Sequence, residues 1–424
     1  MGSPDATIGS EREPHALPAH ADVLVVGAGP AGSAAAAWAA RDGRDVLLTD
    51  AAVFPRDKTC GDGLTPRATA EMEHLGLGEW LRAHTVNRGL RMGGFGREAL
   101  LPWPGGSFPT YGSAVPRLEL DDKLRETAVK WGARMVDGAR VSAVSRDGDR
   151  VTGVSVRTDA GVHDITCRTL IVADGVRSPV GKLLGRTWHR RFAYGVAARA
   201  YIRSARSDDE WITSHLELRD AEETLVPGYG WVFPLGNGEV NIGVGSLATE
   251  RRPSHIALKP LLQHYISLRR EEWQFDGDAR AVASALLPMG GAVSGVSGRN
   301  WALVGDAAGC VNPLNGEGID YGLEGGHLLA GLLDEPDLST LWPDLLRARY
   351  GRTFSVARRI AALATHPRMV PTGGPPMMRS KLLQHTAVRV MGNLVTEEDA
   401  DLTAWLWRTA GRASMRFDDL TPFS

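Results

Sequence analysis

The run Gly27-Ala28-Gly29-Pro30-Ala31-Gly32 stands between an apolar stretch and an Ala-rich one. That is the strand–turn–helix setting in which a glycine loop holds a pyrophosphate. Gly27 permits the tight turn, Gly29 lets the phosphates approach the backbone, and Gly32 lets the helix pack close on the strand. Pro30 and Ala31 begin the helix, whose free N–H groups attract anions. Asp50 follows 18 residues after Gly32, at the end of the next apolar run, where a carboxylate accepts from ribose hydroxyls. An acid there favours an unphosphorylated ribose, hence FAD or NAD over NADP.

A second site chooses between them. Residues 301–326 again run strand, Gly-Asp, loop, helix. Asp306 falls at a strand's carboxyl end, where open parallel sheets bind ligands, and is placed to hold a ribityl hydroxyl or order water. Gly316 and Gly318 precede a helix expected over 319–333, whose N-terminal dipole stabilises negative charge on a reduced isoalloxazine. A nicotinamide dehydrogenase has no need of such a site, so the expected cofactor is FAD. Asp174-Gly175 ends another strand between the two. The three cysteines, Cys60, Cys167 and Cys310, are too few and odd in number for a disulfide framework and fit a reducing compartment. The twelve histidines lack ligand spacing, so no metal is expected, and no Ser-His-Asp arrangement emerges.

Alternating short strands and helices position these residues, the pattern of an α/β fold with a parallel sheet. Strands are expected at 22–26, 46–50, 134–136, 140–144, 151–157, 169–173 and 301–305, and helices at 30–41 and 118–131. From 192 to 287 the texture changes to Tyr-, Trp- and Val-rich alternation with one helix near 256–270, an inserted antiparallel sheet. The expected organisation is a disordered leader at 1–20 and a discontinuous cofactor domain at 21–190 and 288–335. A β-sheet substrate domain at 191–287 and a helical, basic region at 336–424 complete it. At 424 residues, 23% charged and net −2, nothing global points to nucleic acid, and no apolar run approaches bilayer-crossing length.

Three further segments carry a family resemblance: 55–63 (PRDKTCGDG), 229–234 (YGWVFP) followed by 241–245 (NIGVG), and 312–319 (NPLNGEGI). With these the chain resembles the geranylgeranyl reductases, flavoproteins with a p-hydroxybenzoate hydroxylase-like FAD fold, over nearly all of its length after residue 20. The resemblance implies that Gly27, Ala28 and Gly29 wrap the pyrophosphate and that Lys58, Thr59, Cys60 and Gly61 run beside the flavin. It also implies that Arg117 pairs with phosphate or ribityl oxygens and Val141 holds adenine through its backbone, while Asp306, Gly318 and Ile319 close the isoalloxazine end. Tyr229, Trp231 and Phe233 would line the substrate channel, with Gly230 on the same side. Cys60 is the candidate catalytic residue, as proton relay or by shaping the site. The implied reaction is saturation of one isoprene double bond in menaquinone or another polyprenyl lipid; the electron donor is not legible. A flavin monooxygenase or halogenase, and a non-catalytic carrier of prenyl quinones, share the fold and stand as alternatives.

One feature needs no family. Between Leu345 and Thr396 stand nine Arg or Lys and no Asp or Glu, mixed with apolar residues such as Ile360, Leu363, Met369 and Leu383. Such a mixture suits a surface resting on anionic lipid, with arginines such as Arg358 and Arg359 facing the headgroups. The expected location is cytoplasmic, peripheral to the inner face of the cell membrane.

Overall fold

The structure, a computed structural model, describes residues 17–424. The leader expected at 1–20 lies outside the described residues as far as residue 16, and His20 already belongs to the first strand. Five parallel strands form the cofactor sheet in the order Trp301–Leu303, Gly161–Val172, His20–Val26, Val46–Thr49, Arg134–Val136. Val23, Leu24 and Val25 are wholly buried, as an apolar run without alternation requires of a strand covered on both faces. The strand Gly161–Val172 extends beyond this sheet into an antiparallel meander with Arg150–Thr158 and Arg140–Asp147.

The helix Pro30–Arg41 packs between Arg117–Lys130 and Ile319–Ala330. Its alanines and the glycines opposite bring the backbones close. A Cβ added at Gly326 would stand 2.6 Å from the Ala31 carbonyl oxygen and 2.7 Å from the Ala35 nitrogen.

The second sheet has seven strands, in the order Phe275–Pro288, Tyr194–Ser204, Glu239–Ala248, Gly228–Pro234, Trp211–His215, Gly89–Gly94, Arg97–Pro102. The last two come from well before residue 191, and Gly89–Gly94 pairs parallel with Trp211–His215. The sheet is therefore neither confined to 191–287 nor purely antiparallel. Strict alternation assigns its two faces. Ala198, Ala200, Val232, Val240, Ile242 and Val244 pack with Leu261, Leu262 and Tyr265 of the helix Leu258–Arg269. Their neighbours Ala197, Arg199, Tyr201, Tyr229, Trp231, Phe233 and Asn241 face the cofactor sheet.

The C-terminal region is helical. Leu338–Leu346 continues through a widened turn into Arg352–Ala364, followed by Met369–Arg379, Lys381–Met391 and Leu402–Met415. No helix of the described residues is long and apolar enough to cross a membrane.

Candidate active site

A single cavity of about 1550 Å³ runs from the glycine loop, past the inner face of the second sheet, to the C-terminal helices. At its inner end Gly27 adopts φ +100° and donates to the Thr49 carbonyl at 2.7 Å. Ala28 N–H donates to Asp50 Oδ2 at 2.8 Å, and Ala52 N–H to Asp50 Oδ1 at 2.8 Å. A Cβ at Gly27 would meet the Ala173 carbonyl oxygen at 2.4 Å, and one at Gly32 the Gly27 carbonyl oxygen at 1.8 Å. At Gly29 the nearest atoms would be the guanidinium nitrogens of Arg56 at 3.5 Å and Arg117 at 3.9 Å. The loop is thus closed against its own strand and open beneath two cations. That cradle fits the diphosphate of FAD. Arg117 and Arg56 are held in place by Asp121, which accepts from Arg117 Nε at 2.6 Å and from Arg56 at 2.9 Å.

Further along, Asp306 stands in the turn Gly305–Ala308 that follows the strand Trp301–Leu303. Lys58 Nζ pairs with it at 2.9 Å. Although burial opposes it, Lys58, then Arg117 and Arg186, hold the Asp306 carboxyl below the usual carboxylate range. A Cβ at Gly318 would touch Asp306 Oδ1 at 3.0 Å, so the helix Ile319–Ala330 begins against this ion pair.

The segment 57–63 is pinned to the second sheet. Arg199, fully buried, donates to both oxygens of Asp57 at 2.6 Å and to the Lys58 carbonyl at 3.3 Å. Asn241 Nδ2 donates to the Cys60 carbonyl at 2.8 Å and to Asp62 Oδ2 at 2.9 Å, and its Oδ1 accepts from Trp231 Nε1 at 2.9 Å. Tyr201 O–H donates to Asp62 at 2.7 Å. Burial pushes the Asp62 carboxyl up to about 6, against these hydrogen bonds and the charges of Arg199 and Arg117. Gly61 and Gly63 leave room for Trp231 and Phe233 above them, since Cβ atoms there would meet Phe233 at 3.3 and 2.9 Å. Trp231 in turn lies on Gly243, where a Cβ would stand 2.0 Å from the indole. The alternating glycines of 241–245 thus make a platform for the aromatic row. Tyr229 O–H donates to the Asn315 carbonyl. Beyond the row, Ile360, Leu363, Met369, Met377, Leu383 and Met391 line the outer part of the cavity.

All the expected site residues except Ala28 and Gly32 line this one cavity: Gly27, Gly29, Pro30, Ala31, Asp50, Lys58, Thr59, Cys60, Gly61, Arg117, Val141, Tyr229, Trp231, Phe233, Asp306, Gly318 and Ile319. Gly230 does not belong with them. A Cβ there would strike the Tyr265 ring at 2.4 Å, on the opposite face of the sheet, because its place in the alternation is even with Val232. Arg358 is another correction. It is buried, donating to the carbonyls of Gly290 at 2.6 Å and Leu420 at 3.2 Å, while Arg359 pairs with Asp418 at 2.8 Å. Arg347, Arg349, Arg352 and Arg389 also pair with carboxylates. Arg368, Arg379 and Lys381 are exposed and have no carboxylate partner among the described residues. Sequence reasoning missed Arg56, Asp62, Asn241 and Glu317, although all four lay inside the segments that carried the resemblance. Arg199 and Tyr201 gave no signal at all.

Residues 20–239 match the family described as FAD binding domain. The chain is 64% identical over 404 residues to the menaquinone reductase of Mycobacterium tuberculosis, spanning 95% of this chain and 98% of that protein. It is 61% identical over 411 residues to the menaquinone reductase of Mycolicibacterium smegmatis, spanning 95% and 99%. A digeranylgeranylglycerophospholipid reductase of Methanopyrus kandleri is 32% identical over 358 residues, spanning 81% and 86%. Among solved structures, a geranylgeranyl bacteriochlorophyll reductase-like protein from Thermoplasma acidophilum aligns with TM-score 0.74 at 21% identity, covering 91% of this chain and 98% of that one. A flavin-dependent brominase aligns with TM-score 0.71 at 19% identity, covering 94% and 100%. At such identities these two structures speak to the fold alone.

Proposed function

The chain belongs to the FAD binding domain family, on the branch that holds the menaquinone reductases, and from that premise we propose that it saturates one isoprene double bond in the polyprenyl tail of menaquinone. It is a flavin-dependent oxidoreductase of the kind that acts on prenyl chains. The observation that carries the finer reading is the continuity of the cavity. A polar, cation-lined inner end leads past an aromatic row into an apolar outer part, the sequence of surfaces that a dinucleotide and a hydrocarbon chain require together.

FAD, when bound and reduced, supplies a hydride to one alkene carbon, the other carbon taking a proton. Gly29, Arg56 and Arg117 would hold its diphosphate, and Asp50 its ribose. Lys58 and Asp306, paired at 2.9 Å, would set the charge at its ring end. An isolated alkene accepts hydride poorly, so the wall must favour positive character at the more substituted carbon. The faces of Tyr229 and Trp231 serve that purpose, and their hydrogen bonds to Asn315 and Asn241 fix their orientation. The apolar walls orient the chain and exclude water. Cys60, on the segment held by Asn241 beside Arg117 and Tyr229, shapes the floor beneath the double bond.

A substrate dissolved in the bilayer requires the enzyme to come to it. Ile360, Leu363, Met369, Leu382 and Leu383 are exposed on the helices that line the outer cavity, on the same helices or their junctions as Arg368, Arg379 and Lys381. That surface suits peripheral attachment to anionic lipid on the cytoplasmic side.

The test is mass spectrometry of the quinone pool in cells that make fully unsaturated menaquinone. Expression of this chain should yield a tail species two mass units heavier, and Gly29→Trp should abolish it. A product sixteen units heavier would move the chain to the monooxygenases. An unchanged pool, with reducible FAD present in the protein, would reject the reading.

A further inference from the structure

Each saturated bond consumes one proton, and the aromatic row is a poor source, because burial raises the Tyr229 phenol. Glu317 is better placed. It lines the cavity in the loop 312–318, where its carboxyl accepts from Thr65 Oγ1 at 2.7 Å, Thr65 N–H at 3.3 Å and Asn315 Nδ2 at 3.3 Å. No cation pairs with it among the described residues. Burial, and then the neighbouring Asp320, push its pKa well above the ordinary carboxyl value.

Asp320 lies three residues further on and is wholly buried. Its Oδ2 accepts from Asn393 Nδ2 at 2.8 Å, and its Oδ1 has no partner among the described residues. Arg67, Glu324 and Glu317 are the charged neighbours facing it. Asn393, Tyr321, Tyr350 and Arg67 line a second, polar cavity of about 40 Å³, whose outer wall is Arg352 and Glu397. Those last two side chains are 41% and 60% exposed. Arg67 Nε is also buried without a partner among the described residues. Unsatisfied polar atoms around a space of this size are what ordered water satisfies. Asp320 thus stands between the two spaces: it is bonded through Asn393 to the polar chamber and lies three residues along the chain from Glu317, which lines the main cavity.

We propose that Glu317 is the proton donor for alkene saturation, and that Asp320 and the polar chamber return a proton to it from solvent. This rests on the prenyl-reductase reading above. In the step, the Glu317 O–H bond breaks and its proton forms one new C–H bond with the π-electron pair. The second C–H bond forms at the other carbon with the hydride that the flavin supplies. The Glu317 carboxylate then takes a proton from Asp320, which takes one from water.

Two measurements on the FAD-loaded protein test this. In infrared difference spectra, exchange into D₂O should shift a protonated-carboxyl band in the wild type, and Glu317→Gln should lack that band; no substrate is needed. With pre-reduced enzyme and a prenyl substrate, Glu317→Gln should slow saturation by on the order of a hundredfold, while flavin occupancy and reduction by dithionite stay at wild-type levels. Asp320→Asn should slow repeated turnover about tenfold. An active wild type whose carboxyl band survives in Glu317→Gln, or Glu317→Gln turning over at the wild-type rate, overturns the assignment alone. A wild type inert toward every prenyl substrate overturns it together with the function it rests on.

Discussion

Two glycines of one loop show how finely residue identity is set. At Gly29 a side chain projects under Arg56 and Arg117 into the space for the diphosphate, whereas at Gly32 it collides with Gly27. Gly29→Trp is therefore expected to fold and stay colourless. Gly32→Ala should lose both flavin and thermal stability, as absorption spectra and melting curves of the two variants will show. Asp62 makes a different prediction. Its carboxyl is raised from 3.8 to about 6 by burial, so between those values the folded chain keeps a proton that the unfolded chain releases. Stability therefore falls as pH rises through that window and levels off above it. Asn tolerates the left-handed backbone of Asp62 (φ +64°) and carries no charge. The stability difference should move in favour of Asp62→Asn by on the order of 3 kcal/mol between about pH 4 and pH 7, two pKa units at roughly 1.4 kcal/mol each. Denaturation midpoints of both proteins at the two pH values check it; a constant difference would rule it out. The glycines were legible because their spacing repeats a physical requirement. Asp62 was not, since its role depends on Tyr201 and Asn241, which only the fold brings to it.

Among the elements, apolar runs and alternation made most boundaries readable. The helix Pro30–Arg41 and the strand Arg134–Val136 fall at the expected residues. The hairpin Gly89–Gly94 and Arg97–Pro102 escaped, because the glycine-rich first strand shows no period and its other partner, Trp211–His215, lies more than a hundred residues downstream. Nor does the sequence of the helix Met369–Arg379, with three prolines and two glycines, look helical; packing beside the second sheet overrides propensity there. The two faces of that sheet give the next prediction. Ala197 opens on the cavity, so Ala197→Phe should slow turnover with FAD still bound. Gly230→Trp instead drives into Tyr265 and should lower the melting temperature; equal stability of the two variants would contradict this assignment of faces.

For the molecule as a whole, the nine basic residues of 345–396 looked like one positive surface, but the partners of six of them lie elsewhere in the chain or are backbone carbonyls. Sequence alone cannot show such pairing. Charge reversal belongs at Arg368, Arg379 and Lys381. With each contributing roughly 1 kcal/mol to attraction by anionic lipid, the triple Glu variant should detach from anionic vesicles that bind the wild type, and salt should do the same. Equal binding to neutral and anionic vesicles would remove the idea. The cofactor sheet carries one more consequence. Leu170 pairs with Trp301, and five of the seven strands of the second sheet are strung between them. During synthesis, the first half of the flavin fold must wait, one edge unpaired, until the ribosome has delivered a strand some 130 residues later. Flavin capture is thus a late event in the life of each chain, and the inserted sheet must assemble before the site that it roofs can close.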